Sequence, residues 1–242
     1  MGKIYVIGIG PGDDLMMTSG AKEAIGKCDV IVGYKVYTDL IMHLCEGKEV
    51  VESTMRAETQ RCRECLDFAK SGKTVGLICS GDAGVYGMAS PMLEIAADAG
   101  FSDIEIIPGV TAAMSGAALL GAPIGHDFCV ISLSDLLTPW DMIEKRLLAA
   151  CSADFCIVIY NPASHKRPDH LKKACNVMLT ILPPDRPCGY VQNVGRDGEA
   201  MGTCTLDELS LIPADMFTTV FVGNSKTVIS GGRLITPRGY TV

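Results

Sequence analysis

The 242-residue sequence has no apolar stretch long enough to span a bilayer. Its uninterrupted apolar runs, such as residues 155–160, fall far short of the roughly 20 residues that a transmembrane helix requires. It also shows no basic-then-apolar leader ahead of a cleavage site, because a strand-like segment, residues 3–9, begins almost at once. We therefore expect a soluble, cytoplasmic protein with no membrane partner.

An excess of positive charge is missing as well. The sequence contains 21 Lys and Arg against 28 Asp and Glu, for a net charge of −7. Proteins that bind nucleic acid usually present a basic surface to the phosphate backbone, so we expect no nucleic-acid partner. A polyanionic small molecule would need local basic pockets rather than a field from the whole protein.

The 11 cysteines do not form a disulfide framework, since their number is odd and their spacing irregular. This usage is typical of free, mostly buried thiols in a reducing cytosol. One close pair, Cys62 and Cys65, lies on one face of a predicted helix over residues 58–70. Neither a second such pair nor a nearby histidine completes a metal site, so we predict no bound metal.

The first half of the chain alternates short β-branched segments with helical ones. Strands are predicted at residues 3–9, 29–32, 49–52, 74–79 and 104–107, and helices at 18–27, 36–45, 58–70, 90–99 and 111–120. Thr18 and Thr111 precede helices as N-caps. This order predicts a mainly parallel sheet covered on both faces, which is an α/β fold.

A break at Gly121-Ala122-Pro123 predicts two domains, residues 1–121 and 122–242. Beyond it, strands are predicted at residues 128–133, 155–160, 188–194, 199–205, 217–222 and 233–235, and helices at 139–150 and 168–182. The later strands follow one another with short turns and little helix. The second domain is therefore expected to be α/β with a mixed, partly antiparallel sheet.

Three small-residue segments follow predicted strands, at residues 8–13, 80–88 and 108–113. The first is not a dinucleotide-binding loop, because Asp13 stands where that motif needs a third glycine. In the second, Gly81 lets a ligand approach the backbone, and Asp82 places a carboxylate at the carboxyl edge of a parallel sheet. Together the segments predict a pocket for a small polar ligand.

These three motifs, in this order and at this spacing, resemble the tetrapyrrole (corrin/porphyrin) methylase family, and the resemblance covers nearly the whole chain. The family includes uroporphyrinogen methyltransferases, precorrin methyltransferases and diphthine synthase. Ala83 replaces the proline that most members carry after the Gly-Asp pair. That replacement, the segment 84–88 and three further segments, residues 32–37, 125–140 and 160–164, are similar to the branch of precorrin-3B or cobalt-factor III C(17)-methyltransferases.

The resemblance implies two α/β domains with S-adenosylmethionine in the cleft between them, S-adenosylhomocysteine as product, and a homodimer. It further implies methylation of a corrin precursor at C(17) with ring contraction, in cobalamin biosynthesis. The implied cofactor-binding residues are Pro11, Gly81, Asp82, Val85, Thr111, Ala112, Asn161 and Val194.

Methyl transfer from a sulfonium is an in-line displacement that needs alignment more than it needs a metal. Ring contraction also shifts protons, so a general acid or base is expected. The leading candidates are His126 and Asp127, at the start of the second domain, with Asp135 and Ser132 as further ones. A purely structural role for His126 is the competing interpretation.

The substrate implied by the resemblance carries many carboxylates, for which loop Arg and Lys are natural partners. The candidate substrate-binding residues are Lys35, Arg56, Lys166 and Arg167. The segment from His165 to His170 has an alternative interpretation as metal ligands, and a third as a plain solvated loop.

Three other functions remain open at this stage. Two are sister enzymes, a precorrin-4 C(11)-methyltransferase or a diphthine synthase, against which Ala83 argues. The third is a module that binds a tetrapyrrole or an adenosyl ligand without turnover. Because the chain retains Asp82 and all three loops, the sequence argues against a module that has lost catalytic activity.

Overall fold

A computed structural model describes residues 2–54 and 57–241. The chain divides into two compact units, residues 1–111 and 112–242. The sequence-based boundary after Gly121 falls ten residues later than this division. The helix Ala112–Leu120 accounts for the difference, since it packs on strands of the second unit.

The first unit contains a five-stranded, wholly parallel sheet. Its strands are β1 (Ile4–Gly8), β2 (Val30–Tyr34), β3 (Glu49–Ser53), β4 (Val75–Cys79) and β5 (Ile104–Ile107), in the order β3-β2-β4-β1-β5. Its helices are α1 (Ser19–Lys27), α2 (Lys35–Thr38), α3 (Glu58–Lys70) and α4 (Ala89–Asp98), with 3-10 turns at Asp14–Met16 and Asp39–Leu44. The predicted parallel sheet is confirmed.

Both faces of this sheet are buried. Along β1, Ile4 and Val6 belong to one hydrophobic core, while Tyr5 and Ile7 belong to the core on the opposite face. Alternate residues of a strand point to opposite faces, so a strand covered on both sides has to be apolar throughout. Helix α3 packs beneath one face, and α1 beneath the other.

The second unit is built on a mixed sheet. Its strands β7 (Phe128–Ser132), β8 (Cys156–Tyr160), β9 (Pro187–Gln192), β10 (Ala200–Thr205) and β11 (Thr218–Val222) lie in the order β10-β9-β11-β8-β7, and only β7 and β8 are parallel neighbours. Its helices are α5 (Ala112–Leu120), α6 (Trp140–Ser152), α7 (His170–Met178) and α8 (Leu206–Leu209). Strands β6 (Gly121–Ala122), β12 (Val228–Ser230) and β13 (Arg233–Ile235) form a separate small sheet.

Strands β7, β8 and β9 run in the same direction, because β11 lies antiparallel to both β8 and β9. Their carboxyl ends therefore share one edge, toward which the loops after Ser132, Tyr160 and Gln192 extend. One core joins this sheet to α6, α7 and α8. Helix α5 packs against β9, β10 and β11, where the ring of Phe221 lies close to Gly116.

The differences from the sequence-based elements are local. The helix predicted over residues 36–45 is a short α-helix followed by a 3-10 turn, and the one predicted over 168–182 is confined to His170–Met178. The strand predicted at 233–235 exists but pairs in the small sheet, not in the main mixed sheet. The predicted cap at Thr18 is confirmed, since its Oγ1 accepts the Ala21 N–H at 3.1 Å.

In the described part of the chain, no helix has the length and apolarity needed to cross a membrane. The cysteines are all free thiols, and all but Cys129 are buried. Burial raises the pKa of Cys62 to about 11 and the pKa of Cys65 well above its usual value. Such protonated thiols are poor nucleophiles and poor metal ligands.

Candidate functional site

The three glycine-rich loops of the first unit meet at the carboxyl edge of its sheet. Loops after β1 and β4 are joined by a pair of backbone hydrogen bonds between Gly10 and Gly81, at 3.0 and 2.7 Å. Strand β1 lies between β4 and β5, which places the third loop, after Ile107, on its other side. The order of the strands thus converts three distant segments into one surface at the edge where parallel sheets bind ligands.

Asp82 joins the second and third loops through its side chain. Its Oδ1 accepts the backbone N–H groups of Gly84 and Val85, at 2.8 and 3.1 Å. Its Oδ2 accepts the N–H of Gly109 in the third loop at 3.0 Å. Hydrogen bonds to a charged acceptor are about twice as strong as neutral ones, so this carboxylate fixes the relative position of the two loops.

Glycine is required where these loops cross, because there is no room for a side chain. A Cβ atom on Gly8 would lie 2.7 Å from the carbonyl oxygen of Gly81 and 2.8 Å from the nitrogen of Gly109. A Cβ on Gly109 would overlap the same oxygen of Gly81. Gly10 and Gly81 also have positive φ values, +79° and +68°, which glycine adopts without steric cost.

The outer surface of the second loop is open. A Cβ on Gly84 would meet only Asp82 Oδ1, at 3.3 Å. Val85 and Tyr86 are exposed beside it, although Tyr86 has a positive φ of 54° that is unusual for a bulky residue. The loop therefore presents accessible backbone and apolar surface together. Of the predicted cofactor residues, the structure brings Pro11, Gly81, Asp82, Val85 and Thr111 to this edge or the loops forming it.

The second unit holds the remaining predicted cofactor residues on the shared edge of β7, β8 and β9. Asn161 follows β8 directly, has a positive φ of 52°, and donates from Nδ2 to Ser132 Oγ at 2.9 Å. Val194 is buried two residues after β9. Ala112 begins α5, whose next residue, Ala113, donates its N–H to the Tyr160 hydroxyl at 2.6 Å.

A cluster of polar side chains continues along this edge from Asn161. Ser132 Oγ also accepts the N–H of Ser134 at 3.2 Å, and Ser134 Oγ accepts from Arg167 Nη1 at 2.9 Å. The same guanidinium contacts Asp135 Oδ1 at 3.3 Å and Ser164 Oγ at 3.2 Å. These contacts tie the loop after β7 to the loop after β8.

The buried His170 also contacts this cluster, through Asp135. Its Nε2 lies 3.0 Å from Asp135 Oδ2, without the geometry of a well-formed hydrogen bond. The ring is buried and packs edge-on against Trp140, with 5.0 Å between the ring centroids. Contact with His170, and secondarily with Arg167, holds the pKa of the Asp135 carboxyl below its usual 3.8. Asp135 is therefore ionised at neutral pH, and its lowered pKa makes it a weak base.

His126 and Asp127 are not part of this cluster. They precede β7, at the opposite end of the strand from Ser132, about 17 Å away at the usual rise of 3.3 Å per residue. Both are exposed, and His126 Nδ1 accepts the Asp127 N–H at 2.8 Å. They line an open depression of about 380 Å³ that also includes Asp154 and Lys226.

The predicted substrate-binding residues differ in availability. Lys35 is exposed, but its ammonium lies 2.9 Å from Asp39 and 3.3 Å from Glu52. Arg56 lies outside the described residues. Arg167 is only 16% exposed and its guanidinium is directed to protein groups, whereas Lys166 is exposed.

Within residues 2–54 and 57–241, no group of three or more His, Cys, Asp or Glu side chains is arranged to hold a metal ion. The segment from His165 to His170 shows why. His165 is exposed on the loop, while His170 is buried and directed at Asp135.

Sequence reasoning missed the contact between Tyr160 and Ala113 and assigned no role to Ser134. Tyr160 is the last residue of a buried strand, immediately before Asn161. A hydroxyl at the carboxyl end of a strand is a signal that could have identified it. Ser134 offers no such signal, since its role depends on Arg167, 33 residues away.

The sequence matches known proteins over most of its length. The model of the family described as "Tetrapyrrole (Corrin/Porphyrin) Methylases" matches residues 3–210. The chain is similar to the probable cobalt-factor III C(17)-methyltransferase of Salmonella typhimurium, with 46% identity over 99% of this chain and 100% of that one. It is 39% identical to a precorrin-3B C(17)-methyltransferase of Sinorhizobium sp, over 94% and 91% of the two chains. The crystal structure of the methyltransferase CobJ is similar with a TM-score of 0.90 and 35% identity, covering 98% of this chain and 100% of that one.

Proposed function

Because the chain belongs to the tetrapyrrole (corrin/porphyrin) methylase family, we propose that it methylates a corrin precursor at C(17), with ring contraction, in cobalamin biosynthesis. The methyl donor is S-adenosylmethionine. Full-length similarity to a relative named for C(17) methylation carries this proposal. It favours that reaction over the C(11) methylation and diphthine synthesis left open by the sequence alone.

The first unit's carboxyl edge fits an adenosyl ligand. Its second loop offers open backbone at Gly84 and apolar surface at Val85, held in place by Asp82. Pro11 and Thr111 extend from the neighbouring loops. We assign these residues to the cofactor, together with Gly81. We also propose Ala112, Asn161 and Val194 as cofactor-binding residues.

When bound, the cofactor supplies an electrophilic methyl group that needs no further activation. The contribution of the chain is positional, since alignment of reacting groups lowers a barrier by several kcal/mol. Asp82 serves this purpose as a positioning residue, because both of its oxygens accept loop N–H groups. In this proposal the carboxylate of Asp82 fixes the conformation of the loops that bind the cofactor.

The ring contraction additionally requires proton movement. Among His126, Asp127 and Asp135, only Asp135 reaches the carboxyl edge of the second sheet. The location of the other two at the amino end of β7 argues for a structural role. A His126→Ala variant that forms contracted product at the wild-type rate would establish that role.

The decisive experiment incubates the purified protein with S-adenosylmethionine and either metal-free or cobalt-loaded precorrin-3-type substrate, followed by mass analysis. One added methyl group and a contracted ring are expected, and the preferred metal state identifies the substrate form. Absence of methyl release from labelled cofactor with every substrate would reject the proposal and favour a binding module.

The proposal includes a cytoplasmic homodimer, since a twofold pair is the commonest closed assembly. Light scattering at micromolar concentration tests the assembly. A monomer mass would contradict it.

A further inference from the structure

The loop between β7 and α6 exposes two neighbouring leucines. Leu136 is 56% exposed and Leu137 is 99% exposed. A single exposed leucine is ordinary, but two in succession at the edge of a sheet that also carries a polar cluster indicate a contact surface. The loop after β7 lies at the carboxyl edge, where α/β sheets bind their ligands.

The base of this loop is held firmly. Ser134 accepts from Arg167 at 2.9 Å, and Asp135 lies between Arg167 and His170 at 3.3 and 3.0 Å. Trp140, the first residue of α6, packs against the His170 ring at its other end. The leucines at the tip are therefore held outward by contacts on both sides, and their exposure is built into the loop.

The charges around the tip favour one kind of occupant. Lys166 is exposed next to Arg167, on the loop that is tied to Ser134 and Asp135. No ion pair to Lys166 is present among the residues that the structure describes. Two exposed apolar side chains on one loop, with an exposed cation on the loop tied to it, match a flat apolar ring with carboxylates at its periphery.

We propose that Leu136 and Leu137 contact one face of the tetrapyrrole ring, with Arg167, Asp135 and His170 acting as positioning residues for these leucines. The inference rests on the proposed function, because a tetrapyrrole is the substrate class of that reaction. It reassigns Arg167, predicted to bind substrate carboxylates, to the support of the loop. Lys166 keeps the carboxylate-binding role.

The test compares the double variant Leu136→Ser/Leu137→Ser with the control Leu211→Ser. Leu211 is 77% exposed and follows α8, at the opposite edge of the same unit, because β10 runs antiparallel to β9. Three quantities are measured for each protein: the Kd of uroporphyrin III from its fluorescence, the KM for the corrin precursor, and the Kd of S-adenosylhomocysteine by calorimetry.

The double variant should bind uroporphyrin III at least about tenfold more weakly and show a similar rise in KM for the precursor, since burying one leucine against a ligand corresponds to about that factor. Its affinity for S-adenosylhomocysteine should stay within about twofold of wild type. The control should match wild type in all three measurements. Unchanged porphyrin affinity and KM in the double variant, or no porphyrin binding by wild type, would overturn the inference.

Further outcomes separate this inference from its alternatives. If wild type converts the precursor and the double variant does so with the same KM, the inference alone is rejected. If wild type shows no turnover at all, the proposed function is rejected as well. If the double variant is a monomer by light scattering while wild type is a dimer, and its porphyrin affinity is unchanged, the inference is wrong and the leucines contact a second copy of the chain instead.

The positioning role has its own measurement. Arg167→Ala should raise the KM for the precursor, leave the KM for S-adenosylmethionine unchanged, and accelerate hydrogen exchange in residues 134–138. Arg167→Lys, which keeps a cation beside Asp135, should restore part of the loss. An unchanged KM for the precursor in Arg167→Ala would contradict this role.

Discussion

The carboxyl edges of the two sheets are built in different ways. In the first unit the loops are joined mainly through the backbone, by the paired bonds of Gly10 with Gly81 and by the N–H groups that Asp82 accepts. In the second unit the loops are joined through side chains, with Arg167 reaching both Ser134 and Asp135. The first edge depends on glycines that leave no room for side chains and on one carboxylate, Asp82, that accepts backbone N–H groups, whereas the second depends on contacts between side chains.

This difference separates two kinds of binding task. Backbone junctions closed by glycine leave little freedom to change shape, which suits a ligand whose structure is constant, as the methyl donor is. Junctions made by side chains can change with one or two substitutions, which suits the shape of a particular substrate. The comparison predicts that damage to the first edge abolishes cofactor binding, while damage to the second alters substrate handling.

The largest effect is expected from Gly109→Ala. The added Cβ would overlap the carbonyl oxygen of Gly81 and lie 2.5 Å from that of Gly8, and neither backbone group can rotate away. We expect a loss of about 3 kcal/mol or more in the free energy of unfolding, measured in urea, and loss of S-adenosylhomocysteine binding.

Gly26→Ala is the matched control in the same unit. Gly26 lies in α1, and a Cβ there would meet nothing within 4 Å. Because alanine favours helix, this variant should be neutral or more stable by up to about 1 kcal/mol. A Gly109→Ala protein with the same stability as Gly26→Ala would show that the loop junction is looser than described.

A smaller effect is expected from Asp82→Asn. The amide group can present an oxygen to one set of N–H donors but places an NH₂ group against the other, so the tie between the second and third loops is lost. Leaving a charge-assisted bond unmade typically costs about 1–3 kcal/mol. Calorimetry should show cofactor-product affinity reduced about tenfold or more.

Asp98→Asn makes the same chemical change at an exposed position at the end of α4. It should leave affinity unchanged. Equal affinity in both variants would remove Asp82 from the positioning role.

The smallest effect concerns the second edge and depends on pH. Since the pKa of Asp135 is lowered in the folded state, its contribution to stability is present above about pH 4 and is lost as the pH falls through the folded-state pKa. Asp135→Asn should therefore be less stable than wild type at pH 7 by less than about 1 kcal/mol, with the difference shrinking as the pH falls below about 4.

Urea unfolding across this pH range measures the difference, with the exposed Asp185→Asn as reference. A gap between wild type and Asp135→Asn that does not shrink as the pH is lowered through the acid range below about 4 would be inconsistent with an ionised, protein-bound Asp135.

Local chemistry made the first edge predictable. Strands β1, β4 and β5 are recognisable in the sequence, and each leads into a loop whose glycines indicate a backbone role without knowledge of any partner residue. The second edge depends on pairs such as Asp135 and His170, which are far apart in sequence and meet only through the order of the strands. His126 precedes β7, and the rule that locates Asp82 after a strand places His126 at the opposite end of β7 from Ser132.

The burial of the cysteines has a consequence for measurement. In the folded protein every thiol but Cys129 is shielded, and burial raises the pKa of Cys129 itself to about 11. Thiolate is the form that reacts with alkylating reagents, so labelling at neutral pH should be slow until the surrounding structure opens. Because both units contain deeply buried thiols, such as Cys65 and Cys188, the positions alkylated first identify which unit opens first. The chain thus carries native reporters of local unfolding, without any engineered label.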